Sequence, residues 1–229
     1  MKLQYVSLTG ADDAVDIADL NAIAADFPFV EFAVLLLPEQ AGQPRFPTIS
    51  WIRTFRTDYK GVHKAMHLCG SAFLGFVRND PDILALMQGF SRIQLNLEFG
   101  AVDGQYDPAA LLAQIRACPR WQFIIQYTED KASLLPLLRD IPHHAILFDG
   151  SAGQGHAPDF WPAPLPDHFC GYAGGLNPDN IEHHLEKISS VVTDHTTWID
   201  METGIRTHDR FDLQKVLQIL EKAAFYTNS

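Results

Sequence analysis

Short apolar runs alternate along this chain with longer stretches whose apolar residues recur three and four positions apart. Runs of that kind suit buried strands, and the three-and-four spacing suits amphipathic helices. Strands are predicted over 3–8, 29–37, 64–70, 92–99, 121–127, 144–150, 169–175 and 196–203. Helices are predicted over 16–27, 47–58, 80–90, 107–118, 130–140, 177–188 and 212–225. Asp16, Asp107-Pro108 and Asn177-Pro178 stand at helix starts. There a side-chain oxygen can accept from a first-turn N–H, and a proline forfeits no bond.

Strands alternating with helices call for a parallel sheet covered by helices. Eight such strands in 229 residues predict one closed (β/α)8 TIM barrel over 1–229. An open doubly wound sheet is the alternative. No linker, repeat or low-complexity segment marks a second domain. The one long irregular stretch, 150–168, carries Pro158, Pro162, Pro164 and Pro166. Proline denies it a regular helix, and loops of that length are commonly functional.

Composition narrows the function classes. At 47% hydrophobic and 20% charged residues, the chain can bury a core and does not read as disordered. A formal net charge of -11 argues against nucleic acid or an anionic membrane as partner. An anionic small molecule could bind only through a local site. Cys69, Cys118 and Cys170 are scattered, which predicts free thiols in a reducing, cytoplasmic setting. The N-terminus shows no signal-like pattern, and the run Phe32–Leu37 is too short to cross a bilayer. A monomer or homodimer is expected.

In a TIM barrel, ligands sit at the C-terminal ends of the strands, and the loops after strands seven and eight often hold phosphate. Here the seventh strand ends in Ala173-Gly174-Gly175-Leu176-Asn177-Pro178. The eighth ends in Asp200-Met201-Glu202-Thr203-Gly204. Glycine lets backbone N–H groups approach an oxyanion, and a helix N-terminus adds a favourable dipole. Gly174, Gly175, Thr203 and Gly204 are therefore candidate phosphate ligands. The plainer reading is a pair of sharp turns.

The stretch 171–181 with 198–220 resembles the C-terminal third of phosphoribosylanthranilate isomerase. That family carries Ala-Gly-Gly-Leu-x-Pro-x-Asn-Val, then a strand ending in Asp-x-x-Ser-Gly-Val-Glu. Weaker likenesses lie upstream in family order, at 147–162, 92–100 and 35–52. The resemblance implies acid–base isomerisation of an aldose-derived amine to a ketose, on a phosphorylated small molecule and without a cofactor. It implies that Asp149 is the general acid that opens the furanose ring. Arg45 would meet the anthranilate carboxylate, while Gln94 and Asn96 would line the substrate. Gly175, Thr203 and Gly204 would hold the phosphate.

The family's general base, a cysteine in Lys-x-Cys-Gly at the end of the first strand, is missing. Depending on alignment, Val6 or Ser7 takes its place, and neither removes a carbon-bound proton unaided. Cys69 and Glu98 are the substitute candidates. His67 lies two residues before Cys69, on the same side of a strand, and could activate the thiol. An apolar strand favours an inert core cysteine instead.

The adjacent pairs His143-His144 and His183-His184 point in different directions and do not chelate one ion, so no metal is expected. The scattered set His67, Glu98 and Asp149 is the alternative. No lysine stands at a predicted strand C-terminus, which disfavours a Schiff-base aldolase. The competing functions are an epimerase, lyase or metal-assisted aldolase on the same barrel, and a phosphate-ligand binder without turnover.

Overall fold

The computed structural model describes residues 1–96, 104–127, 135–150 and 157–227. Eight parallel strands close into a barrel in sequence order, with the first paired to the last. They are β1 (Lys2–Thr9), β2 (Val30–Leu36), β3 (His63–Leu68), β4 (Arg92–Leu95), β5 (Gln122–Tyr127), β6 (His144–Asp149), β7 (Cys170–Ala173) and β8 (Thr196–Met201). The helices are α1 (Ile17–Asp26), α2 (Ile49–Asp58), α3 (Gly70–Val77), α4 (Pro81–Leu86), α5 (Pro108–Ala117), α6 (Leu135–Leu138), α7 (Ile181–Val192) and α8 (Leu213–Ala223). A small hairpin, β9 (Arg206–Thr207) with β10 (Arg210–Phe211), lies between β8 and α8. The chain is a (β/α)8 barrel. Among the described residues no helix is long and apolar enough to cross a membrane.

Strand alternation divides the side chains into two layers. Val6, Leu8, Phe32, Val34, Met66, Ile93, Phe123, Ile146, Tyr172 and Ile199 point outward. They pack in one cluster with the helix residues Leu20, Ile52, Phe55, Phe73, Phe76, Ile115, Leu185, Ile188 and Ile219. The intervening residues fill the barrel. On one side Ile124, Ala145, Leu147, Ala173 and Trp198 form an apolar cluster with Tyr5 and Phe169. Gly171 is required there, because a Cβ on it would lie 2.2 Å from the Trp198 indole across the strand pair.

The opposite side of the interior is polar. Ser7, Glu31, His67, Arg92 and Gln94 are all buried. Arg92 pairs with Glu31 at 2.7 Å, and both side chains are almost fully enclosed. Ser7 Oγ donates to Glu31 at 2.6 Å, and Arg92 Nε donates to Gln122 at 2.9 Å. The guanidinium also lies 4.3 Å from the Trp198 ring centroid and 4.7 Å from that of Tyr5. A buried charge costs several kcal/mol unless pairing and hydrogen bonds offset it. Ion pair, hydrogen bonds and aromatic faces offset part of that cost, while Arg92 Nη2 and Glu31 Oε2 have no hydrogen-bond partner among the described residues.

The structure moves several predicted boundaries. The third strand ends at Leu68, and α3 begins immediately at Gly70, whose φ of +51° breaks the extended path. Ala72, Phe73 and Phe76 then give that helix its buried face. The helix after β7 begins at Ile181, preceded by Asn180, and not at Asn177. Asn177 Oδ1 instead accepts from the N–H groups of Asp179 and Asn180, at 2.9 and 3.2 Å, and holds a turn ahead of the helix. The predicted helix 130–140 is described only from residue 135, and appears as the single turn α6. Residues 157–168 contain no helix or strand, as their prolines require.

The buried pair generates a stability prediction. Glu31→Ala should strand the Arg92 charge inside the barrel and destabilise the fold by about 3–5 kcal/mol. Ser7→Ala, which removes one hydrogen bond to a charge, should cost about 1.5–3 kcal/mol. Urea denaturation of the two variants beside the unmodified chain checks both the size and the order.

Candidate functional site

At the C-terminal mouth of the barrel the inward-facing positions are Thr9 on β1, Asp149 on β6, Ala173 on β7 and Asp200 on β8. Ala173 pairs with Asp149 on one side and with Asp200 on the other. The two carboxylates therefore stand at one level, two strands apart, which is roughly 10 Å at the usual strand spacing. Asp149 is partly exposed to the mouth.

Asp200 is the carboxylate that sequence reasoning did not single out. Thr9 Oγ1 donates to its Oδ1 at 2.6 Å. Burial pushes its pKa up to about 7, with Glu202, Glu31 and Asp149 adding repulsion and the Thr9 bond opposing it. Its presence in Asp-x-x-Thr-Gly was visible in the sequence. Its environment was not, because the groups that set it come from β1, β2 and β6.

The first strand also reads differently in place. Val6 faces outward into the helix layer. Ser7 faces inward but is committed to Glu31, well below the mouth. The last inward residue of the strand is Thr9, followed by Gly10 at φ +93°. Ser7-Leu8-Thr9-Gly10 shares only its glycine with the pattern Lys-x-Cys-Gly, and Thr9 is the residue that ends the strand just before that glycine. Of the two residues expected at the cysteine position, Val6 points away from the mouth and Ser7 lies below it.

The substitute bases fare unequally. Glu98 lies outside the described residues. Cys69 is buried among Leu35, Leu37 and Phe46, and burial pushes its thiol up to about 12. Its sulfur accepts from Asn96 Nδ2 at 3.1 Å and lies 3.8 Å from the His67 carbonyl oxygen, to which the thiol donates. A thiol in that state stays protonated at neutral pH. Burial, reinforced by Arg92, drives His67 down to about 3, so its imidazole is neutral. Gln94 and Asn96 stand in line beside this group, with Gln94 Nε2 donating to Asn96 Oδ1 at 2.8 Å.

A charged rim closes the β1–β8 side of the mouth. Arg45 sits in the left-handed region at φ +67°, and its backbone N–H donates to Asp12 at 2.7 Å. Its guanidinium bonds Glu202 at 2.7 Å and also Asp209. Arg206 is buried beneath it and donates to the Gly10 carbonyl at 2.7 Å and to Asp12 at 2.9 Å. His208 and Asp209 also have positive φ. Left-handed non-glycine residues cost free energy and persist where surrounding bonds hold them.

The two glycine loops meet. A Cβ on Gly204 would fall 1.9 Å from the Leu176 carbonyl oxygen, so only glycine lets the loop after β8 lie against the loop after β7. Gly174 and Gly175 have φ of +118° and +63°. Among the described residues the N–H groups of Gly174, Gly175 and Gly204 have no hydrogen-bond acceptor. Thr203 is exposed beside them. The first amides of the α7 region are already used by Asn177 and Asn180, so that helix start offers less than Asn177-Pro178 suggested.

Among the described residues no three His, Cys, Asp or Glu side chains gather as metal ligands. His63 and His67 are four residues apart but share a strand, where His63 packs edge-on to Tyr5 at 4.7 Å. His184 lies under Trp161, whose Nε1 donates to it at 3.2 Å.

No protein-family model matches the sequence, and no curated protein sequence does. Solved structures do match. N-(5'-phosphoribosyl)anthranilate isomerase from Pyrococcus furiosus superposes with a TM-score of 0.58 at 13% identity, over 97% of this chain and 99% of that one. Phosphoribosyl anthranilate isomerase from Thermococcus kodakaraensis gives 0.57 at 11%, over 96% and 98%. Thiamine phosphate pyrophosphorylase from Pyrococcus furiosus gives 0.52 at 10%, over 98% and 96%. At these identities the likeness is one of fold, and it runs the whole length of the barrel.

Asp200 generates a prediction with a definite sign. Its folded pKa is raised, so the carboxyl favours the fold below its unfolded pKa near 3.8 and loses that advantage as pH rises through about 7. Asp200→Asn should therefore be more stable than the unmodified chain at pH 8, by at most on the order of 4 kcal/mol. The difference should shrink steadily as pH falls towards 4. Chemical denaturation across that range measures it, and a constant difference would contradict the raised pKa.

Proposed function

We propose that the chain is a sugar-phosphate isomerase of the phosphoribosylanthranilate isomerase type. The observation that carries this reading is the pair of abutting glycine loops after β7 and β8, with their unengaged amides, beside the carboxyl of Asp149 at the end of β6. The amides would bind a phosphate dianion, whose charge the backbone can neutralise without a lysine. Thr203 would add its hydroxyl. The ligand is then a phosphorylated small molecule, with its far end over the mouth.

Asp149 would act as the general acid. Its proton goes to the furanose ring oxygen, the C1–O bond breaks, and the lone pair of the amine nitrogen completes an iminium. Loss of the proton on C2 gives an enolamine, which becomes the ketose by gaining a proton at C1 and losing the one on O2. Arg45 would meet a carboxylate on the amine substituent, once its bond to Glu202 or Asp209 is exchanged for one to the ligand.

That prior engagement of Arg45 favours a second reading, a phosphate-ligand binder in which the rim stays closed and no turnover follows. An epimerase or lyase would use the same cradle with a different acid–base pair.

A fluorescence assay with freshly made phosphoribosylanthranilate, with and without divalent metal, separates these. Metal-independent consumption of the substrate is expected, with inorganic phosphate as a competitive inhibitor. Asp149→Asn should lower kcat by about 10²- to 10⁴-fold. Phosphate binding without turnover would favour the binder, and turnover only with metal would favour a different barrel chemistry.

A further inference from the structure

The isomerase reading leaves one task unassigned, removal of the proton on C2, since the first strand has no cysteine to do it. Resting on that reading, we infer that Asp200 is the general base, positioned by the hydroxyl of Thr9.

Place is the first argument. Thr9 is the last inward-facing residue of β1, and its hydroxyl reaches across the β1–β8 seam to Asp200 at 2.6 Å. The resembled family carries its cysteine at the end of the first strand, and here a carboxyl stands on the neighbouring strand, β8. Asp200 and Asp149 flank Ala173 on its two sides, so the two carboxyls stand two strands apart along one wall of the mouth. A small residue there leaves room for a sugar between the acid and the base.

Access is the second argument. Thr9 is 1% exposed and Ser7 2%, so neither reaches a ligand, whereas Asp200 is 8% exposed at the floor of the mouth. Its Oδ1 is held by Thr9. Its Oδ2 has no hydrogen-bond partner among the described residues and is not sealed from the mouth. A carboxylate with one oxygen fixed and the other open is arranged to receive a proton.

Elimination is the third. Glu202 is bonded to Arg45, and Asp209 to Arg45 and Arg206. Asp12 is consumed by Arg206 and by the N–H groups of Arg45 and Ala14. Cys69 is protonated. Asp200 alone among these acids is held by a neutral hydroxyl instead of a cation. Its pKa of about 7 keeps a large carboxylate fraction at neutral pH while making it a stronger base than an exposed aspartate.

The step balances without a co-reactant. Asp200 Oδ2 takes the C2 proton. The C–H electron pair becomes the C1=C2 bond, and the C=N pair returns to nitrogen. Asp200 then delivers its proton to C1, and the proton lost from O2 restores Asp149 as the acid.

Steady-state kinetics of the unmodified chain, Asp200→Asn, Thr9→Val and Thr9→Ser, with substrate protonated or deuterated at C2, test the assignment. Asp200→Asn should lose about 10²- to 10⁴-fold in kcat while inorganic phosphate still binds. Thr9→Val removes the bond that holds the pKa of Asp200 down, so the rising limb of kcat/KM against pH should move to higher pH. Thr9→Ser, which restores the hydroxyl, should return it. A primary deuterium effect should grow in Thr9→Val. Turnover by Asp200→Asn within a few-fold of the unmodified rate, or a limb unmoved in Thr9→Val, overturns the assignment and leaves the isomerase reading standing. Absence of turnover by the unmodified chain overturns both. If Asp200→Asn fails to fold, the limb in Thr9→Val decides alone.

Discussion

A guanidinium enclosed in the barrel constrains most of what lies above it. Arg92 reaches Glu31 on β2 and Gln122 on β5, and it lies against Trp198 on β8 and Tyr5 on β1. Through Glu31 it also engages Ser7. Five strands are thereby tied across the axis by one charge whose side chain is almost fully enclosed. Such a pair does not by itself make the protein more stable than an apolar filling would. What it does is dictate partners: Ser7 and Glu31 are spent below, so Thr9 and Asp200 are the inward groups left at the β1–β8 seam.

That seam is where electrostatics and backbone shape meet. Burial raises the pKa of Asp200 against the single Thr9 bond, and the charges of Glu202, Glu31 and Asp149 add to the rise. The two arginines nearby are drawn to other partners. Arg206 is locked under Gly10 and Asp12, and Arg45 spans Glu202 and Asp209. Left-handed backbone at Arg45, His208 and Asp209 shapes both loops for this bonding. The rim therefore neutralises itself and leaves one carboxyl near its midpoint at neutral pH. The glycine loops after β7 and β8 complete this side of the mouth, with the carboxyls of Asp149 and Asp200 flanking β7 below them.

Much of this was legible in the linear chain. Period-two and period-3.6 patterns are local, so all eight strands and most helices could be located from the spacing of apolar residues. Asp16 and Asp107 do cap α1 and α5, each accepting from a first-turn N–H. The glycines after β7 and β8 marked themselves because glycine takes φ above zero without penalty and alone permits such close backbone approach. Asp149 was placed by its motif at a strand end, and the structure puts it in the mouth.

The remainder depended on contacts between residues far apart in sequence. Cys69 beside His67 was open to two readings, a reactive thiol or an inert core residue, and the packing of Leu35, Leu37 and Phe46 around it makes its thiol a core group. Thr9 was not singled out, because the register shift between Leu3 and Tyr5 and the end of β1 are settled only by pairing with β8 and β2. Asp200 sat in plain view within a recognised motif, yet a pKa is a property of surroundings and not of a residue type. The sequence by itself determined the alternation of elements, the closed barrel and the glycine loops, because those follow from local periodicity and backbone freedom. Only the tertiary structure decided which side chains are dry, which charges are already paired and which carboxyl is free to exchange a proton, because burial and Coulomb energy depend on distance in space.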